Sequence, residues 1–109
     1  MRLIFTKLFY SAMRRAYLSG KISGLPIEEA RAKFQKAEDE LILKGWQVVN
    51  PLKKGLPVES TWGQHLLRDI ELLMDCDAIF LMPCWQESQG AKIEKFFAEK
   101  EFGLEIYFI

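Results

Sequence analysis

The sharpest chemical feature of the chain is the run Ser88-Gln89-Gly90-Ala91-Lys92-Ile93-Glu94. Ser88 is a natural helix N-cap, because a serine oxygen can accept from the free backbone N–H groups of a first turn. Those N–H groups favour an anionic or hydroxyl-rich ligand. Gly90 removes a side chain where a ligand would press on the backbone. Glu94 lies four residues further on, on the same helical face, and helical side chains lean toward the N-terminus. Its carboxylate is therefore expected to reach back over Gly90, toward a pocket. A glutamate that only complements the helix dipole is the competing reading. A second acid, Asp69, sits among Leu66, Leu67, Ile70, Leu73 and Met74. On a helical wheel it falls about 40° outside Leu73, on the flank of that apolar stripe beside Trp62 and His65. A carboxylate at a core edge is placed to have a raised pKa; a solvated helix acid is the alternative.

Other residues are open to two readings each. Tyr17 is either a core aromatic or a hydroxyl donor at the pocket. Trp85 and Trp62 are suited to stack on a base, or equally to serve as core or lid. Lys21 can meet a phosphate or remain solvated. His65 reads as a rim residue. Asp77 reads as structural, accepting from nearby backbone.

These side chains need elements to hold them. Arg15 to Ser19 reads as a short strand, followed by a loop from Gly20 to Leu25. Pro26 opens a helix at the position that tolerates proline. Ile27, Ala30, Phe34, Ala37 and Leu41 recur at alternating intervals of three and four, which is one helical face. Gly45 is placed to end that helix. Trp46 to Asn50 is a second strand, and Pro51 to Thr61 a long loop of the kind that is usually functional or mobile. A helix follows from about Trp62 to Asp75, with Leu66, Leu67, Ile70, Leu73 and Met74 as its buried stripe. Asp77 to Met82 is a nearly continuous apolar run, as in a central parallel strand. A last helix runs from Ser88 to near Gly103, and Leu104 to Ile109 closes as a strand.

This alternation implies an α/β, three-layer, Rossmann- or flavodoxin-like domain with a parallel sheet of four or five strands. The expected order is 2-1-3-4, and the ligand site is expected beyond the strand carboxyl ends at the switch between the first and third strands. The loops starting at Gly20, Pro51 and Pro83 meet there.

With 109 residues, half of them hydrophobic, the chain makes one domain with a real core. Fifteen basic residues balance fifteen acidic ones, which leaves no footprint for a nucleic-acid polymer and no polybasic membrane patch. One histidine and two cysteines, Cys76 and Cys84, give no metal motif and no expected disulfide, as in a cytosolic protein. Residues 1–12 are apolar but broken by Lys7; they are read as an N-terminal extension rather than a signal segment, with Met13 as a possible natural start and 13–109 as the domain.

The ordered set Tyr17-Leu18-Ser19-Gly20, Arg68-Asp69, Cys76-Asp77-Ala78-Ile79-Phe80-Leu81 and Ser88-Gln89-Gly90 with Glu94 resembles the nucleoside 2-deoxyribosyltransferase superfamily. It is most similar to a branch of short, functionally undescribed members. The resemblance covers Arg15 to the C-terminus. It implies that Glu94 is a nucleophile, that Asp69 protonates the departing base or orients the sugar, and that Tyr17 hydrogen-bonds near the nucleophile. It implies that Ser88 and Gly90 lie at the sugar or its 5′ group. Ser19, Gly20, Lys21 and Trp85 complete the implied substrate contacts. Lys21 and Ser23 stand where the hydrolytic branch carries hydroxyl and arginine groups for phosphate. The implied ligand is a deoxynucleoside or its monophosphate, with no metal or redox cofactor. A homo-oligomer with the site near a subunit interface is also implied. A non-catalytic nucleotide-binding module is the rival reading.

Overall fold

The structure, a computed structural model, describes residues 14–109; the reading of residues 1–12 lies outside them. Four strands form one sheet: β1 (Arg15–Ser19), β2 (Gln47–Val49), β3 (Ala78–Leu81) and β4 (Glu105–Phe108). All three pairings are parallel, in the order β2-β1-β3-β4. This is the α/β arrangement and strand order expected from the alternation of elements. The helices are α1 (Ile27–Leu43), the single turn α2 (Pro51–Lys54), α3 (Trp62–Met74) and α4 (Gln89–Phe96).

The sheet has a hydrophobic cluster on each face, and alternation along β1 divides its residues between them. Ala16 and Leu18 pack with Ala78, Phe80 and Met82 against Phe34, Ala37 and Leu41 of α1. Tyr17 falls on the other face, with Ile79, Leu81, Leu73 of α3 and Ala98 beyond α4. Ser19, two residues after Tyr17, shares that second face. Asp77 accepts a hydrogen bond from the Arg15 backbone N–H at 2.8 Å, fixing the start of β3 beside β1.

Three segments differ from their sequence reading. The long loop after β2 begins with the helical turn α2, because the Asn50 side chain caps it by accepting from Leu52 N at 3.0 Å and Pro51 suits its first position. Gly55 ends that turn; a Cβ there would lie 2.6 Å from the Pro51 carbonyl oxygen. The last helix is not continuous to Gly103: α4 widens into a π-helical turn over Phe97–Glu101 before Gly103 turns the chain at φ +63°.

The third difference concerns the rotation of α3. Leu66, Ile70 and Leu73 point inward, whereas Leu67 is 70% and Met74 56% exposed. Leu66 and Leu73 lie a heptad apart on one line, and Leu67 and Met74 on a second line about 100° away. The apolar stripe is wider than the contact it can make. Seating the first line turns Asp69 inward rather than leaving it on the flank.

Candidate active site

At the carboxyl edge of the sheet, the two hydroxyls of β1 meet the carboxylate of α4. Tyr17 Oη donates to Glu94 Oε2 at 3.0 Å, and Ser19 Oγ donates to Glu94 Oε1 at 2.6 Å. All three residues are buried. The meeting follows from local rules. Tyr17 and Ser19 lie two apart on one strand face, and α4 crosses that face with its start fixed by Ser88, whose Oγ accepts from Ala91 N at 3.1 Å. Asp69, brought in by the rotation of α3, is hydrogen-bonded to Glu94 as well.

The electrostatics of this cluster are unusual. Burial, and then the charge of Asp69, push the Glu94 carboxyl up to about 8, against the pull of the Ser19 and Tyr17 hydrogen bonds. Burial pushes Asp69 up to about 6, opposed by its hydrogen bond with Glu94 and the charges of His65 and Arg68. Tyr17 is held well above the ordinary tyrosine range by burial and by Glu94, so it remains a neutral donor. The two acids therefore titrate as a pair that holds one proton near neutral pH. The order of the two values puts that proton on Glu94, which donates to Asp69 in the resting pair. The Tyr17 and Ser19 hydroxyls pull the other way, favouring the Glu94 anion, so they lower the cost of passing the proton to Asp69.

Glu94 and Asp69 face a cleft of about 670 Å³, within the size range of small-molecule sites. Its walls come from the three loops at the sheet edge, with Gly20 and Lys21 from the first, Leu56 to Val58 and Ser60 from the second, and Glu87 to Gly90 from the third. Gly20 is required by packing, since a Cβ would approach Met82 Cβ to 3.0 Å. Gly90 is different. A Cβ there would meet only Ser88 Oγ at 3.9 Å, so its missing side chain leaves free space on the cleft wall.

The sequence-derived residues are thus distributed unevenly. Glu94, Asp69, Gly20, Lys21, Ser88 and Gly90 line the cleft together. Ser19, read as a substrate contact, instead lies beneath the cleft floor with Tyr17, where both hold Glu94. Trp85 is not at the cleft. It packs over the second core cluster, with the Phe108 ring centroid 6.0 Å away and Lys95 Nζ 5.8 Å from its own. The apolar strand before it carries it to the far side of its 3₁₀ turn. Trp62, half exposed, is the tryptophan that lines the cleft. Lys21 pairs with Glu87 at 3.1 Å across the mouth. His65 lines the cleft one turn before Asp69.

Sequence reasoning missed Arg31 and Ser60 on the cleft wall. Arg31 had a signal: it follows Ile27 by four and precedes Phe34 by three, and all three share the face of α1 that closes the cleft. Ser60 lies in a loop whose path no periodicity foretells. Among the described residues, no three His, Cys, Asp or Glu side chains are grouped to hold a metal ion, and no helix is long and apolar enough to cross a membrane.

A family model described as a domain of unknown function, DUF4406, matches residues 14–108. No curated protein matches the chain.

Proposed function

We propose that this chain, which belongs to the DUF4406 family of domains of unknown function, breaks the N-glycosidic bond of 2′-deoxynucleosides or their monophosphates and passes the sugar to water or to a second base. One observation carries the reading. A glutamate buried beside a nucleoside-sized cleft has no cationic partner among the described residues, is held by two hydroxyls, and is coupled to a second acid. A structural carboxylate gains nothing from that setting, whereas a nucleophile and its acid need it. The ordered motifs that resemble the nucleoside 2-deoxyribosyltransferase superfamily point the same way.

The chemistry balances within these residues. Once the shared proton passes to Asp69, Glu94 is left as the anion, aimed by Tyr17 and Ser19, and attacks C1′ as the bond to the base breaks. Asp69 gives its proton to the departing base nitrogen. Positive charge developing at C1′ is stabilised by the carboxylate, and a glycosyl ester on Glu94 results. Water or another base then attacks C1′ from the vacated side, Asp69 takes the proton back, and configuration at C1′ is retained. Trp62 offers a stacking face for the base, and the free wall at Gly90 accommodates the sugar.

The test is incubation with deoxynucleosides and their monophosphates, with and without a second free base. Base release abolished by Glu94→Ala supports the enzyme. Thermal stabilisation by ligand without turnover of any compound contradicts it and supports a binding module. We also read the exposed line of Leu67 and Met74 on α3 as the seat of a second copy beside the cleft. Sedimentation should give a dimer or larger that Leu67→Glu with Met74→Glu converts to monomer. Both cysteines are free, which fits the cytosolic setting proposed with this activity.

A further inference from the structure

The cleft has a neighbour. A second cavity of about 410 Å³ lies between α1 and the loop after β3, and it shares Lys21, Phe34 and Glu87 with the first. The wall between them is therefore formed by the Lys21–Glu87 ion pair and Phe34. That pair is exposed, with Glu87 the more open partner. Exposed ion pairs of this kind contribute little, so the partition opens at little cost.

The chemistry on each side of the wall is complementary to one type of ligand. Glu87 already places a carboxylate on Lys21, so a ligand phosphate can take that position by displacing it. Beyond the wall, Lys33 and Lys36 rim the second cavity over an apolar floor that includes Leu25 and Met82. Lys33 is loosely paired with Glu29 at 3.5 Å, and Lys36 enters no ion pair among the described residues. Glu40 is the one acidic side chain besides Glu87 among the described residues that line the second cavity. Lysines around an apolar floor suit a planar group attached to phosphates. A single phosphate would reach Lys21 and leave the second cavity unused.

We propose that the second cavity binds the far half of a dinucleotide. One nucleoside would lie in the cleft against Glu94, the linking pyrophosphate on Lys21 in place of Glu87, and the second nucleoside beside Lys33 and Lys36. This rests on the glycosidic reading of the cleft and names a substrate class for it. The bond broken remains the N-glycosidic bond of the nucleoside in the cleft.

The experiment compares deoxyadenosine, its 5′-monophosphate and the pyrophosphate-linked dimer of deoxyadenosine, with the deoxycytidine series in parallel. Binding is read by calorimetry, and Cys84 supplies a local reporter. Its thiol is exposed and lines the second cavity, while Cys76 is buried. The dinucleotide should bind about tenfold or more tightly than the monophosphate and should protect Cys84 from iodoacetamide, which the nucleoside should not do. Lys33→Ala with Lys36→Ala should erase that gain and leave nucleoside affinity unchanged. Glu87→Gln should strengthen dinucleotide binding several-fold. Equal affinity of monophosphate and dinucleotide, or an unprotected Cys84, overturns the second site, and base release from the plain nucleoside would then leave the glycosidic reading standing. Tail-dependent binding with Cys84 protection, but no base release from any compound, retains the site and defeats the glycosidic reading.

Discussion

Glu94 and Glu105 lie at opposite ends of the same parallel sheet, and their surroundings push them in opposite directions. Each accepts from a tyrosine hydroxyl, Tyr17 for the first and Tyr107 for the second. Glu105 is solvent-exposed, and the Arg14 guanidinium bonded to it holds its carboxyl below the usual range. Glu94 is buried, meets a second acid instead of a cation, and is pushed up. The tyrosine is common to both and so does not explain the difference. Burial and the identity of the second neighbour do. At one edge the protein makes an ordinary surface ion pair; at the other it retains a charge that folding alone disfavours.

Substitutions that equalise the two ends should break this contrast in a graded way. Glu94→Gln should lower base release about a thousandfold or more, because an amide is a poor nucleophile at C1′. Glu105→Gln should leave base release unchanged and lower the thermal midpoint only slightly. Asp69→Asn should cost on the order of a hundredfold in base release. It should also remove the alkaline limb of the rate profile, which reports loss of the proton shared with Glu94.

Stability should separate the two ends by the sign of its pH dependence. The Asp69 and Glu94 carboxyls have raised values in the folded chain, so the native state binds more protons than the unfolded one. Their contribution is therefore fully present below the ordinary carboxylate range and is lost as pH rises through about 6 and then about 8. Denaturant unfolding should register a loss of several kcal/mol over that span, and the Asp69→Asn, Glu94→Gln double variant should flatten it. Glu105, with its lowered value, contributes in the other direction: its share is present at neutral pH, is lost as pH falls, and is screened by salt.

Smaller effects should follow from the hydroxyls. Ser19→Ala and Tyr17→Phe each remove one donor from a buried carboxylate and should each cost about 1–3 kcal/mol in denaturant stability, whereas Tyr107→Phe should be silent. The smallest contrast is between tryptophans. Trp62→Ala should weaken ligand binding several-fold, and Trp85→Ala should leave it unaltered although it thins the packing over Phe108.

Much of this arrangement was legible in the sequence because it follows from periodicity. The strand order came from the alternation of elements, and Glu94 from its four-residue spacing to Gly90. Tyr17 and Ser19 were recognised as site residues, but their burial was not, since strand alternation gives a face without saying how deep it lies. Asp69 was placed on a flank because the five apolar residues of its helix permit two rotations, and only packing against the sheet selects one. Trp85 was misplaced for a related reason. It stands close in sequence to Ser88, but an intervening 3₁₀ turn directs the two to different surfaces. Ion pairs between loops, such as Lys21 with Glu87, have no sequence periodicity at all.

The central claim is that the Glu94 carboxylate forms a bond to the sugar. Intact-mass and peptide mass spectrometry after rapid acid quench, on protein incubated with deoxynucleoside in the absence of any acceptor base, tests it most directly. A mass gain of one deoxyribosyl group mapped to Glu94, absent from Glu94→Gln and lost when a free base is added, is the expected result. Base released in full with the sugar never attached to the protein, or a deoxyribosyl group mapped to any other residue, would contradict it.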